Sequence, residues 1–289
     1  MGRVTARRPV VRVVDGVRTR RPDTLVVEEP LEVRVDGRAL AVTMRTPGDD
    51  FDLVAGFLAT EGVLRTADDL AGLRYCGGAA PGSPGGGTYN VVDADLAPGT
   101  PAPDPSVERA FYTTSSCGVC GKASLDAVRV AVAHDLAADP VAVDPAVLAS
   151  LPDRLREQQR VFDRTGGLHA AGLFTPDGEL LCLREDVGRH NAVDKVVGWA
   201  VRQGRLPLAG TVLQVSGRLS FELVQKAAVA GVPVLSAVSA PSSLAVDLAE
   251  ELGMTLVGFV RDGRLNAYTG EHRLLDTSAD RGARAVIAP

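Results

Sequence analysis

Along this chain the spacing of apolar residues changes from alternation to helical recurrence and back. Val10–Val14 reads as a short strand, and Leu31–Val35 and Leu40–Met44 flank Asp36-Gly37, a hairpin turn signal. After Pro47-Gly48-Asp49-Asp50, the residues Phe51, Val54, Ala55, Phe57 and Leu58 recur at helical spacing with acidic residues in the first turn, predicting a helix to about Thr60. Tyr89–Val92 is a further strand. A helix or helix pair is expected from Asp144 to Arg164, broken near Pro152, followed by a hairpin of Leu173-Phe174 and Leu180–Leu183 around Pro176-Asp177-Gly178. From there the pattern is βα: strand Val212–Val215, helix Leu219–Ala230, strand Val232–Ala237, helix Ser242–Leu252, strand Thr255–Val260 and a return strand Leu265–Tyr268. Such order predicts an α/β fold with a largely parallel sheet.

Pro98, Pro101, Pro103 and Pro105 mark a linker, and Gly77–Gly87 a surface loop without the Lys-Ser/Thr ending of a phosphate loop. The expected organisation is therefore a β-rich N-terminal lobe over residues 1–105, an α/β catalytic and cofactor-binding lobe over 106–276, and a flexible tail over 277–289. Aromatics make up only 4% of the chain, so Val, Leu and Ala must build the core. The net charge of -5 argues against a general nucleic-acid binder or a protein held to an anionic membrane. No apolar run has the length of a membrane span, and the basic start at Arg3, Arg7 and Arg8 leads into no signal-peptide core. The expected location is the cytoplasm.

Two of the four cysteines, Cys117 and Cys120, stand at C-x-x-C spacing. Such a pair can form half a metal site, a tight disulfide, or a thiolate that attacks and carries sulfur. An apolar-rich helical run follows, through Ala123, Leu125, Ala127, Val128 and Val130–Val132, with Ser115 or Ser116 placed as its cap. Thiols at a helix N-terminus beside Lys122 favour the thiolate. Cys182 falls in an apolar strand and reads as a buried small hydrophobe. Zinc lacks ligands, because Cys76 and Cys182 are isolated and His134, His169, His190 and His272 never stand at H-x3-5-H spacing. A zinc deaminase needs H-x-E, whereas Ala170 and Ala171 follow His169. Sulfur relay fits these features best.

A second constellation, Arg184–Lys195, is densely polar between a strand and an apolar-patterned helix, where α/β sheets place binding sites. A salt-linked helix cap is the alternative. If the following strand ends share one crevice, Arg189, Arg218, Arg261 and Arg264 could converge there on phosphate oxygens.

The segments Ser115–Gly121, Thr165–Ala171, Glu185–Lys195, Ser216–Ser220, Ser239–Pro241 and Gly258–Thr269 occur in this order in the formate dehydrogenase accessory sulfurtransferases, the FdhD family, which the chain resembles over most of its length. The resemblance implies a cytidine-deaminase-like three-layer α/β/α core without catalytic zinc, acting as a homodimer. It further implies a sulfurtransferase that accepts sulfur from a cysteine desulfurase as a cysteine persulfide. That sulfur is passed to the molybdenum cofactor, in its bis-molybdopterin guanine dinucleotide form, for formate dehydrogenase. Cys117 matches the family's persulfide-forming cysteine, and Cys120 is its neighbour. The family's cofactor-binding segment falls on Phe259, Val260, Arg261, Asp262, Gly263 and Arg264. Arg189, His190, Arg218 and Ser239 are added from the residues themselves, as groups to hold the guanine nucleotide moiety. The main rival is a non-enzymatic molybdenum-cofactor chaperone for formate dehydrogenase; a nucleotide-processing deaminase would require bound zinc.

Overall fold

The computed structural model describes residues 3–76, 89–103 and 130–276. Cys117, Cys120, the 77–87 glycine loop, Pro105 and the tail from Thr277 lie outside the described residues. Of the apolar run expected to be helical after the C-x-x-C motif, Val130–Val132 are described and are not helical.

A ribbon of β1 (Thr5–Val14) and β2 (Val17–Val26) opens the fold. Strands β3 (Glu29–Val35) and β4 (Arg38–Arg45) follow, turning at Asp36-Gly37 with φ of 47° and 79°. That pair of positive φ values is the reason for an Asp-Gly turn, since its twist matches that of the strands it joins. Helix α1 (Asp50–Thr60) leads to β5 (Leu70–Tyr75) and β6 (Val91–Leu96), completing a four-stranded sheet of order β4-β3-β6-β5.

The second sheet contains β7 (His169–Phe174), β8 (Leu180–Asp186), β9 (Val212–Val215), β10 (Val234–Ala237), β11 (Thr255–Arg261) and β12 (Arg264–Thr269), in the order β12-β11-β10-β9-β7-β8. It is mixed, not largely parallel. Only β9–β10 and β10–β11 are parallel. The βα alternation spans those three strands alone, while the β7–β8 hairpin joins the β9 edge antiparallel and Asp262-Gly263 turns β12 straight back.

Alternate residues divide the sheet between two cores. Val212, Val234 and Val257 pack with Leu148, Leu151 and Leu155 of α2 (Pro145–Gln158) on one face. Leu213, Leu235 and Leu256 face α4 (Arg189–Arg202), α5 (Phe221–Val229) and α6 (Ser243–Glu251) on the other, in a core continuous with α1. The result is a three-layer α/β/α arrangement. Pro152 does not break α2; the break falls at Gln159, before the short α3 (Arg160–Thr165). An interior proline costs about 3 kcal/mol. Full burial of three leucines at about 1.5–3 kcal/mol each offsets it.

Helices α1 and α4 touch backbone to backbone. A Cβ added at Gly198 would lie 1.7 Å from the Asp52 carbonyl oxygen, and one at Gly56 1.7 Å from that of Asp194. Only glycine at both positions permits this approach.

Candidate functional site

The carboxyl ends of β9, β10 and β11 open at one end of the sheet. Because β7 is antiparallel to β9, with Ala171 opposite Val215, and His169 pairs with Asp186, the start of β7 and the end of β8 reach the same end. Helix α4 begins there at Arg189 and α5 just after Ser220. Backbone hydrogen bonds tie the loops into one rim: Leu219 N donates to Ala240 O at 3.1 Å, Ser242 N to Leu219 O at 2.9 Å and Phe259 N to Ser239 O at 3.2 Å. Ser216 holds the first loop to β7, its Oγ accepting from Ala170 N at 2.8 Å. Gly217 keeps the floor low, since a Cβ there would meet His169 Nδ1 at 3.6 Å and Arg189 Cδ at 3.7 Å. The structure thus brings His169, Arg189 and the Ser216–Arg218 loop together.

The electrostatics favour an anion. Arg189 Nε is buried with no hydrogen-bond partner among the described residues, a state that native proteins rarely leave unexplained. Burial, and then the neighbouring charges of Arg189 and His190, hold the His169 pKa below its ordinary value, so the ring stays neutral. His190 Nε2 lies 2.8 Å from Glu222 Oε2 and 3.4 Å from Ser220 Oγ. Its hydrogen bond holds the Glu222 carboxyl below the usual range. Both oxygens meet the same ring nitrogen, which excludes an acid–histidine–serine relay, where the acid must hold the opposite nitrogen.

Phe259 stands at the rim with φ 53° and 41% exposure. A bulky residue in the left-handed region is strained, and such strain collects at functional positions. Val260 is buried in the α2-side core, while Arg261 and Arg264 face each other across the exposed Asp262-Gly263 turn. Arg218 is exposed and Ser239 half-buried.

The Arg184–Lys195 run divides into two sets. Asp186 and Lys195 form a buried pair at 2.7 Å. Asp186 also accepts from Thr46 N, Gly188 N and Asn191 Nδ2, and Lys195 donates to Thr46 O. Arg184 reaches Asp52 at 2.7 Å, and Glu185 accepts from Val161 N and Phe162 N, capping α3. Asp194 meets Lys226 Nζ at 2.9 Å and Thr60 Oγ1 at 2.8 Å. These residues lock α4 to its neighbours, so the salt-linked cap accounts for most of the run. Arg189 and His190 alone turn to the crevice.

His169 and Glu222 belong to the crevice without having been singled out for it. Their signal was positional, one opening the strand antiparallel to β9 and the other in the first turn of α5. Cys182 is buried as expected and its thiol is pushed up to about 12 by desolvation. Among the described residues no three His, Cys, Asp or Glu side chains are grouped to hold a metal, and no helix is long and apolar enough to cross a membrane.

The fold and its crevice define a mixed α/β protein with Arg189 and His190 at the strand ends, beside the N-termini of two helices. Comparison with known sequences is more specific: the FdhD/NarQ family profile matches residues 26–275, and the chain belongs to that family. The sulfur carrier protein FdhD of Streptomyces avermitilis is 65% identical over 95% of this chain and 97% of its own length. The protein of the same name from Mycobacterium tuberculosis is 56% identical over 95% of this chain and all of its own length. Among solved structures, a protein of Desulfotalea psychrophila described as a formate dehydrogenase accessory protein superimposes with a TM-score of 0.70. It covers 94% of this chain and 100% of that one at 23% identity, a likeness of fold.

Proposed function

We propose that this chain is a sulfurtransferase that takes sulfur from a cysteine desulfurase as a persulfide on Cys117 and passes it to the molybdenum cofactor, as bis-molybdopterin guanine dinucleotide, for formate dehydrogenase. The observation that carries this reading is the name sulfur carrier protein, shared by relatives 56–65% identical that align over 95% of this chain. In the first step the Cys117 thiolate attacks the terminal sulfur of the donor persulfide. A sulfur–sulfur bond forms on Cys117, and the donor cysteine leaves as a thiolate. The cofactor is the acceptor substrate. Arg189, whose buried Nε lacks a partner among the described residues, suits its phosphates, with Arg218 and the Arg261–Arg264 turn as outer cations. The exposed ring of Phe259 suits a guanine face. His190 and Ser239 border the same rim.

Chain geometry supports delivery to this crevice. Val130 N donates to Gln225 Oε1 at 3.1 Å, and Gln225 lies three residues, about one helical turn, after Glu222. Cys120 precedes Val130 by ten residues, a tether that spans at most about 35 Å. Two roles are open to Cys120. It can attack Cys117 Sγ, forming a disulfide and expelling hydrosulfide, with the dithiol supplying both electrons, or it can tune the first thiol. The protein acts as a homodimer in this reading.

Intact-protein mass spectrometry after incubation with a cysteine desulfurase and cysteine tests the proposal. A reducible gain of one sulfur atom that is absent in Cys117→Ala is the expected result. No gain with a competent donor would transfer the reading to a cofactor-binding chaperone.

A further inference from the structure

The fold itself dictates Gly37, which takes a positive φ in its turn, and Gly56 and Gly198, where a Cβ would strike backbone. Gly217 answers to neither demand. Its φ lies outside the left-handed region, and the described atoms nearest to a Cβ there are His169 Nδ1 at 3.6 Å, Arg189 Cδ at 3.7 Å and His169 Cε1 at 3.7 Å, all at ordinary contact distance. Alanine fits the described protein at this position, so the open space over Gly217 serves something other than the packing. Its surroundings are firmly held. Ser216 pins the loop to β7, its N donating to Ala170 O at 3.0 Å and its Oγ accepting from Ala170 N at 2.8 Å. On one side Arg189 Cδ leads to the buried Nε that lacks a partner among the described residues. On the other stands the half-buried ring of His169, with Nδ1 toward the glycine.

We propose that Gly217 is the floor, and His169 the wall facing Arg189, of a subsite for one phosphate of a nucleotide pyrophosphate. The inference rests on the nucleotide-binding part of the proposed function and extends it to His169 and Gly217. A tetrahedral phosphate presents separate oxygens to Arg189 Nε and to the ring Nδ1, and the missing Cβ lets it settle on the backbone. Burial first, and then the charges of Arg189 and His190, keep the His169 ring neutral, with Asp186 acting the other way; His190 in turn faces Glu222. A neutral imidazole has a single N–H. An anion entering beside Arg189 offsets the guanidinium charge, the ring takes a proton from solvent, and both its nitrogens become donors. Ligand binding and proton uptake are therefore linked at His169, and affinity rises as pH falls.

Calorimetric titration of the full chain with guanosine diphosphate glucose, in buffers of different ionisation heat, provides the test, because the pyrophosphate diester of that probe gains no proton near neutrality. The wild type is expected to take up protons on binding, and to bind about threefold or more tighter at about pH 6 than at about pH 8. His169→Gln keeps an N–H donor but does not titrate, so it should match the wild type at about pH 8 and lose both the uptake and the gain in affinity. Gly217→Ala should melt at or above the wild type and bind about tenfold or more weaker at either pH. A Gly217→Ala protein that binds like the wild type, or proton uptake that survives His169→Gln, overturns the subsite and leaves the nucleotide reading standing. So does a Gly217→Ala protein that melts clearly lower, since the fold would then need this glycine. A wild type that binds no probe at about pH 6, where the linkage favours binding, removes the nucleotide reading and the subsite with it.

Discussion

Replacing Gly198 with alanine tests how the N-terminal part of the chain is held to the sheet. The new Cβ would stand 1.7 Å from Asp52 O and 2.6 Å from Gly56 N, both backbone atoms with no rotamer to yield. An ordinary carbon–oxygen approach is about 3.3 Å, so α1 and α4 must part by about 1.5 Å along that line. Separation would also stretch the Asp52 contacts to Arg184 and Arg202, at 2.7 and 2.5 Å. Overpacking typically costs 1–3 kcal/mol, and a backbone clash belongs at the top of that range, about 3 kcal/mol or more. At about 2–4 °C per kcal/mol for chains approaching this size, the melting temperature should fall by about 6–12 °C in a scanning calorimeter. Gly56→Ala attacks the same contact from the other helix, so the double variant should lose clearly less than the sum of the two. A Gly198→Ala protein that melts with the wild type would refute the tight crossing.

Lys195→Met should cost about 3–5 kcal/mol, because it leaves the Asp186 carboxylate buried without its cation; urea unfolding reads the loss, and a midpoint near that of wild type would contradict it. Glu222 has a depressed pKa through its bond to His190, so its contribution is present above the ordinary carboxylate value of about 4.3 and is lost as pH falls toward the lower folded value. Melting curves should therefore show wild type more stable than Glu222→Gln at neutral pH, with the gap closing on acidification; a constant gap would exclude the linkage. His169 gives a slope of the same sign at higher pH: its pKa is lowered by burial, so below about pH 6.5 the unfolded chain takes up a proton that the folded one resists, and stability falls. His169→Gln should flatten that slope. In the nucleotide-binding reading, Arg189→Met should weaken guanosine diphosphate about tenfold or more in calorimetric titration, and equal affinities would remove Arg189 from the site.

Where period and turn chemistry agree, the sequence was readable. Asp36-Gly37, the Phe51–Leu58 stripe and the alternation from Val212 to Tyr268 became the elements they suggested. The ribbon was half seen, because Val10–Val14 alternates weakly and its partner is broken by Arg18, Arg20, Arg21 and Pro22. Sheet direction was misjudged because a hairpin can join either edge of a parallel core, and local pattern does not say which. For the site, polar density marked Arg184–Lys195 but could not divide it: capping a helix, pairing a buried charge and meeting an anion use the same residue types. The division emerged only when burial assigned Asp186, Asp194 and Lys195 inward and left Arg189 and His190 at the crevice. Glu222 became visible only once α5 was set beside α4.

Three polar residues of α5 face three different parts of the molecule: Glu222 meets His190 at the crevice, Gln225 takes the amide of Val130, and Lys226 bonds Asp194 and Thr60. All three lie within five residues of one rigid helix, so helical rise fixes their spacing at about 6 Å from first to last. The helix works as a shared axle. A movement of the helix at Glu222 carries with it Gln225, which holds the Val130 amide, and Lys226, at the joint with α1.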